Sequence, residues 1–306
     1  MKSALIRLHI TVFLWGFTGV LGRVISLNEG LLVWWRLFIT VISLWLFYGI
    51  AGKIKRIPPR DFFKIASIGT ILALHWLCFY GSIKYSNVSI ALTCLSTSGL
   101  MSAILEPIFF KKKFDLTELV LGLFALVGIA LIYLTNLTFS IGIYIGLMAT
   151  LLTVLVSVLN KKLVTGYEQS SITLYQLTGG FLGLSILMPL YNHLFPAPHF
   201  LPQHWDWLWL IILSWFCTIL TFVLYIGVLK KITAFTLNLT LTLEPVYGII
   251  LAFVVYHENK SLSHYFYYGF ALILLAVVLQ MLRIVRDAKR ISNKEQGVSN
   301  EEYNVQ

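Results

Sequence analysis

An acidic residue, Glu244, lies inside a long apolar run and directly before Pro245. Proline has no N–H, so in a helix it leaves the carbonyl of Leu241 without its usual partner. Asn238 and Thr242 are four residues apart, which puts them on the same face of a helix. This pattern predicts a polar face in mid-helix. The face could line a cavity in which Glu244 binds a cationic group or a proton, or Glu244 could be a neutral, hydrogen-bonded residue that fixes a helix kink.

Two further polar residues, Arg36 and His75, interrupt apolar runs in the first half of the chain. Polar groups in apolar surroundings are costly unless they are hydrogen-bonded or paired. Arg36 could bind a substrate carboxylate, extend to lipid headgroups or hold a neighbouring helix. His75 has no second metal ligand at a useful spacing, so it is either a hydrogen-bonded core residue or part of a cavity or proton relay.

Several aromatic and amide side chains are candidate walls of a binding cavity. Because aromatic residues make up 15% of the chain, each of them could equally pack in the core or anchor a helix at a membrane interface. The candidates are Trp15, Tyr80, Tyr175, Gln176, Tyr225 and Tyr247.

The composition indicates which elements must position these residues. Of 306 residues, 58% are hydrophobic and only 12% are charged. A soluble protein of this size could not bury that much apolar surface, which excludes a soluble enzyme, a disordered protein and a secreted disulfide scaffold. We therefore expect an all-α integral membrane protein, because helices satisfy their own backbone groups in lipid.

A membrane-spanning helix needs about 20 mostly apolar residues, and the sequence predicts ten such helices. They lie near residues 5–26, 31–51, 62–83, 88–110, 116–135, 140–160, 171–192, 206–229, 235–256 and 265–285. The polar residues after this last helix predict a disordered cytoplasmic tail over 287–306.

The basic residues predict the orientation of these helices. With the N-terminus inside, only Arg23, Arg36, Lys84 and Lys260 of the 23 Lys and Arg residues fall outside or at the outer helix ends. The excess of Lys and Arg on cytoplasmic loops then predicts that both termini are cytoplasmic. The net charge of +10 is divided among short clusters, so nucleic-acid binding is not expected.

The two halves of the chain resemble each other weakly. Residues 79–116 align without a gap onto 225–262, and Trp34 to Leu37 fall on Leu174 to Leu177. This repeat predicts a first five-helix unit over 1–136 and a second over 137–286. Because five is odd, the second unit enters the membrane upside down relative to the first. Inverted repeats with a substrate site between them are typical of secondary transporters.

The order and spacing of several motifs resemble the EamA type of the drug/metabolite transporter superfamily. These motifs are Trp15-Gly16, Arg36 opening the second helix, Tyr80 to Tyr85 closing the third, Leu243-Glu244-Pro245, Tyr256-His257-Glu258, and Gly269 with Leu272-Ile273-Leu274. The resemblance implies ten helices and the movement of small metabolites such as amino acids across a bacterial-type inner membrane, often as export.

The favoured hypothesis is therefore a transporter that works by alternating access, without enzymatic activity. No phosphate-binding Gly-rich loop is present, so we expect no ATP hydrolysis. We also expect no cofactor and no metal. The expected partners are a small-molecule substrate and membrane lipid, and the expected state is a monomer or weak homodimer. The alternatives are a lipid flippase, a membrane partner subunit or, less favoured, a membrane enzyme that uses His193, His199, His204 and Asp206 in the longest outer loop.

Overall fold

The computed structural model describes residues 2–111, 113–135, 137–224 and 243–303, and all regular secondary structure in these ranges is helical. The first half of the chain forms α1 (Lys2–Val24), α2 (Glu29–Ile50), α3 (Pro59–Tyr85), α4 (Val88–Leu95), α5 (Ser98–Phe110) and α6 (Leu116–Thr135). The second half forms α7 (Ser140–Leu163), α8 (Gln169–Leu194), α9 (Asp206–Ser214) with a π-helical turn (Trp215–Leu220), α10 (Glu244–Tyr256) and α11 (His264–Tyr303). Short 3-10 turns at Leu137–Phe139 and Glu258–Lys260 precede α7 and α11.

Asparagine and proline residues fix where several helices begin. The side chains of Asn28 and Asn87 each accept a backbone N–H from three residues further on, at 2.9 and 2.8 Å, which caps α2 and α4. Pro59 and Pro245 lie in the first turns of α3 and α10. A proline is tolerated there because an N–H at this position has no helical acceptor in any case.

Seven helices in the described ranges are long and apolar enough to cross a membrane. They are residues 29–50, 59–85, 88–110, 116–134, 137–163, 169–194 and 206–224. Two shorter apolar helices, Glu244–Tyr256 and His264–Gln280, correspond to the last two predicted spans. The prediction of an all-helical membrane protein is therefore confirmed. The count of ten spans stays a prediction, because residues 225–229 and 235–242 of the eighth and ninth predicted spans lie outside the described residues.

The fourth predicted span, over 88–110, is one of these seven, and a turn at Ser96 and Thr97 divides it into α4 and α5. The Ser96 hydroxyl donates to the carbonyl of Leu92 at 3.1 Å, and the Thr97 hydroxyl donates to the carbonyl of Cys94 at 2.6 Å. Short hydroxyl side chains compete in this way with the helical hydrogen bonds of the backbone. The break separates an eight-residue helix, α4, from the remainder of the span.

The backbone of α11 is helical to Tyr303, whereas the polar sequence predicts a disordered tail over 287–306. This segment contains Ala, Lys, Arg, Glu and Gln, which are good helix formers. Extending an existing helix avoids the cost of nucleating a new one. Residues 304–306 lie outside the described ranges.

Helix α3 packs against α7 and α8 from the second half of the chain. Glycines bring α3 and α8 together: a Cβ on Gly69 would lie 1.8 Å from the carbonyl oxygen of Gln176, and a Cβ on Gly179 would lie 2.2 Å from the Cα of Ala66. Small residues of this kind let helix backbones approach closely in lipid. The crossing fixes α3, which carries the candidate site residues His75 and Tyr80, against the second half.

Candidate functional site

Arg36 on α2 is enclosed by protein, although it carries a permanent charge. Only 3% of its surface is exposed. Its Nη1 donates to the Tyr80 hydroxyl at 2.9 Å, and its Nε and Nη2 donate to the Thr218 hydroxyl at 3.1 and 2.9 Å. The guanidinium lies over the Trp76 ring, with Cζ 3.9 Å from the ring centroid. The guanidinium is therefore directed into the protein, towards α3 and the π-helical turn, rather than outwards to headgroups.

The π-helical turn positions Thr218 to accept from Arg36. The Thr218 hydroxyl donates its single proton to the carbonyl of Leu213, five residues earlier, at 2.9 Å. Its oxygen is then free to act as an acceptor. The Ser214 hydroxyl donates to the backbone carbonyl of Arg36 at 3.1 Å, so one segment holds both the side chain and the backbone of this residue. Such π turns are rare within α-helices and are frequent at functional sites.

Tyr80 and His75 are both on α3, and both are satisfied by protein contacts. The Tyr80 ring is fully buried, and Gly22 on α1 provides its space, since a Cβ there would lie 2.3 Å from the ring. Nδ1 of His75 lies 2.8 Å from the carbonyl oxygen of Ala149 on α7. The imidazole stacks on Phe79 with the ring centroids 6.1 Å apart. His75 thus has the environment of a hydrogen-bonded core histidine, the first of its two predicted roles.

No carboxylate balances Arg36 in the described part of the chain. The ion pairs there join carboxylates to Arg23, Lys55, Lys161 and Arg283. The long undescribed stretch, 225–242, contains no Asp or Glu. The neighbours of Arg36 are therefore two hydroxyls and an indole, which leave its charge without a counter-ion. An arginine presents a rigid fork of N–H groups suited to carboxylate or phosphate.

Glu244 lies at a close contact between α10 and α1. It is partly buried, and a Cβ on Gly16 of α1 would lie 3.0 Å from the Glu244 carbonyl oxygen and 2.9 Å from the backbone nitrogen of Gly248. The described helix begins at Glu244 with Pro245 in its first turn. Leu241, whose carbonyl is predicted to lose its partner, lies outside the described residues, so a kink there stays a prediction.

Tyr247 and Trp15 also belong to this part of the molecule. The Tyr247 hydroxyl lies 3.0 Å from Nδ1 of His9, and the Phe13 ring meets the Tyr247 ring edge-on with the centroids 6.2 Å apart. Trp15 is partly buried on α1, and its carbonyl accepts the Thr18 hydroxyl at 2.6 Å. Because α1 also contacts Tyr80, this helix adjoins both the Glu244 region and the Arg36 region.

Tyr175 and Gln176 lie at the crossing of α3 and α8, and the structure does not bring Tyr175 to Arg36. The Tyr175 hydroxyl donates to the carbonyl of Lys55 at 2.7 Å. Lys55 follows the end of α2, whereas Arg36 lies near its start, and the intervening helix spans about 20 Å at 1.5 Å per residue. The backbone carbonyl of Gln176 takes part in the helix crossing. The predicted cavity role concerns its side chain and stays a prediction.

Three of the predicted site residues, Tyr225, Asn238 and Thr242, lie outside the described residues. Their place at a cavity stays a prediction.

A family model for the EamA-like transporters matches residues 2–134 and again residues 140–282. The chain belongs to the EamA-like transporter family. The resemblance in the sequence is thereby confirmed, and the two matches place two copies of the family repeat in this chain. Together with the long apolar helices, family membership identifies a multi-pass membrane protein of a transporter family.

Two bacterial proteins similar to this EamA protein carry general transporter names. A Haemophilus influenzae protein named "Uncharacterized transporter" is 24% identical over 270 residues, covering 82% of this chain and 84% of its own length. "Uncharacterized transporter YxxF" of Bacillus subtilis is 22% identical over 258 residues, covering 82% and 81%. A crystal structure titled only as that of a protein has a TM-score of 0.62 at 15% identity, with 92% of this chain and 98% of the other covered. That likeness shows a shared fold.

Glu258 is a buried polar residue that lies outside the predicted site. It follows α10 and has 2% of its surface exposed. It accepts the backbone N–H groups of Val88 and Ser89 at 3.0 and 2.8 Å, the Ser89 hydroxyl at 2.6 Å, and a hydrogen bond from Arg23. The signal in the sequence is the Tyr-His-Glu motif, but the partners of Glu258 are 169 to 235 residues away in the chain.

In this EamA protein, two side chains of the loop that could serve a membrane enzyme instead make contacts that hold the fold together. Asp206 accepts the Ser26 backbone N–H at 2.9 Å and the Ser26 hydroxyl at 2.5 Å, and Nε2 of His199 lies 3.1 Å from that hydroxyl. The serine directs its proton to the carboxylate, so the group ties the turn after α1 to the start of α9. Within the described ranges, no three His, Cys, Asp or Glu side chains could hold a metal ion.

Proposed function

We propose that this EamA protein is a secondary transporter or facilitator that moves small, amino-acid-like metabolites, as export, and that Arg36 binds the substrate carboxylate. The observation that carries the proposal is the buried guanidinium whose described neighbours are all neutral. A buried charge without a counter-ion is costly in a membrane protein, and such residues commonly mark a substrate path. A carboxylate delivered by the substrate would supply the missing charge.

The hydrogen bonds of Arg36 leave two N–H donors for such a ligand. A guanidinium has five N–H donors, and Thr218 and Tyr80 account for three of them. The remaining donors on Nη1 and Nη2 can form charge-assisted hydrogen bonds with a carboxylate. Trp76 supports the guanidinium from one face, so binding would not require the arginine to reorganise.

The two family repeats support alternating access as the mechanism of transport. We propose that they are inverted relative to each other, as five-helix units over 1–136 and 137–286, with the substrate between them. Glu244, Tyr247 and Trp15 on the α1–α10 side would line the same path, and Glu244 would bind a substrate cation or a proton. The distribution of Lys and Arg supports an inner-membrane protein with both termini in the cytoplasm.

The test begins by finding a transported solute. A strain that overexpresses the chain is screened for resistance to toxic amino-acid and nucleobase analogues, and the solute so identified is measured by counterflow in proteoliposomes. Lipid movement is measured in the same liposomes. Lipid movement without solute flux would reject the proposal in favour of a flippase.

The role of Arg36 is then tested by comparing an amino acid with its carboxamide. A hydrogen bond to a charged group contributes about 1.5–3 kcal/mol, so the wild type should prefer the carboxylate by about tenfold or more. Arg36→Gln should abolish this preference. Arg60→Gln, which changes an exposed arginine, should retain it. An unchanged preference in Arg36→Gln would refute the assignment, even if transport itself is established.

A further inference from the structure

At one end of the molecule, the buried carboxylate of Glu258 connects the two family repeats. This residue belongs to the second repeat, whereas Arg23, Val88 and Ser89 belong to the first. Three of the hydrogen bonds that Glu258 accepts come from the first turn of α4. A carboxylate at that position satisfies N–H groups that have no acceptor within the helix and is attracted by the helix dipole.

Two further contacts reinforce this connection. The Arg23 guanidinium lies over the ring of Tyr256, with Cζ 4.4 Å from the centroid. The Tyr256 hydroxyl donates to the carbonyl of Val20 at 2.7 Å. The end of α10 is thus joined to both α1 and α4, and we call the set Glu258, Arg23, Ser89 and Tyr256 the Glu258 cluster.

Two ion pairs that join the repeats at the opposite end of the bundle are more exposed than the Glu258 carboxylate. The Lys55–Glu168 pair has 61% and 57% of its side-chain surfaces exposed, and the Lys161–Glu106 pair has 50% and 31% exposed. Exposed pairs contribute little because water and salt compete with them. Glu258, in contrast, is excluded from water. Water can replace its hydrogen-bond partners only if this end of the bundle opens.

Helix α4 has the form of an element that can move separately. It has eight residues, and the break at Ser96 and Thr97 separates it from α5. A short helical segment that ends at such a turn can rotate about it as a hinge, without disturbing the helix beyond it.

We propose that the Glu258 cluster is a latch that holds α4 against the second repeat, and that its release opens this end of the molecule by rotation of α4 about Ser96 and Thr97. The proposal goes beyond the assignment of substrate and does not depend on Arg36. Transport by alternating access would require this latch to break and form again in each cycle.

The test measures how often α4 separates from the protein. Ile90 lies one residue after Ser89 and is 1% exposed, so an Ile90→Cys thiol reacts with a water-soluble maleimide only when α4 lifts. The reporter is introduced together with Cys94→Ala, and labelling is quantified peptide by peptide by mass spectrometry. The native Cys217 is fully buried elsewhere and reports global unfolding in the same sample.

Glu258→Gln should raise the labelling rate of the Ile90→Cys thiol about tenfold or more through local opening, with no change at Cys217. Glu168→Gln, which removes an exposed ion-paired carboxylate at the other end, should change neither rate. If Glu258→Gln does not fold, Ser89→Ala removes one hydrogen bond only, and it should raise the same rate to a smaller degree. No increase at the reporter, or an equal increase at Cys217, would overturn the latch.

Discussion

Gly69 lies so close to α8 that Gly69→Ala should force the two helices apart. A Cβ at this position would lie 1.8 Å from the carbonyl oxygen of Gln176 and 2.8 Å from the backbone nitrogen of Gly180. Non-bonded carbon atoms prefer separations of about 3.5–4.0 Å, so the backbones would have to separate by roughly 1.5 Å or more. Both contacted atoms are backbone atoms, and no side-chain rotation can relieve the overlap.

Overpacking of this kind costs about 1–3 kcal/mol and occasionally more, and we expect Gly69→Ala to lie at the upper end, about 3 kcal/mol. Gly99 provides the matched control, because a Cβ there would meet nothing within 4 Å. Alanine is favoured over glycine in a helix by about 1 kcal/mol, so Gly99→Ala should be neutral or stabilising.

The assay is the thermal unfolding of both purified variants in detergent, followed by the loss of helical circular dichroism. Gly69→Ala should lower the midpoint, and Gly99→Ala should leave it unchanged or raise it. Equal midpoints for the two variants would refute the close crossing of α3 and α8, and with it the geometry that joins the two repeats.

Two further predictions concern the site and one end of the bundle. Gly22→Ala should displace the Tyr80 ring, because its Cβ would lie 2.3 Å from that ring; we expect lower affinity for a carboxylate solute in counterflow, whereas Gly49→Ala, whose Cβ would meet one flexible side-chain atom at 3.7 Å, should retain it. A hydrogen bond from Arg283 holds the pKa of Asp115 below its usual 3.8, so the pair stabilises the fold above about pH 4 and the effect is lost as the pH falls through the lowered pKa. The difference in unfolding midpoint between wild type and Asp115→Asn should therefore be constant near neutral pH and shrink in acid; a difference that grows in acid would contradict this sign.

Local properties of the sequence predict much of the fold. Apolar runs of about 20 residues predict where spans lie, since the thickness of a bilayer sets their length. The division of α4 from α5 is also a local effect, because Ser96 and Thr97 bond to carbonyls in their own helix. The hydroxyl residues indicate a turn there, whereas the apolar length of residues 88–110 favours one uninterrupted helix.

The environment of the site could not be predicted in the same way. The sequence predicts Arg36 and Tyr80 as candidates but gives no signal for Thr218. Thr218 accepts two hydrogen bonds from Arg36, yet it is 182 residues away in the chain. Glu258 is likewise 169 residues from Ser89. Contacts over such separations depend on how helices pack, and neither helical periodicity nor residue type specifies that packing.

The π-helical turn at Trp215–Leu220 has a consequence for how the chain tolerates changes in length. A π turn contains one more residue than an α turn, so deleting a single residue here would restore ordinary winding. Because the wider turn absorbs the extra residue, the helix before and after it would keep nearly the same rotational phase. A deletion between Leu213 and Thr218 would place the acceptor carbonyl four rather than five residues before Thr218. The extra residue therefore sets how the Thr218 hydroxyl is presented to Arg36.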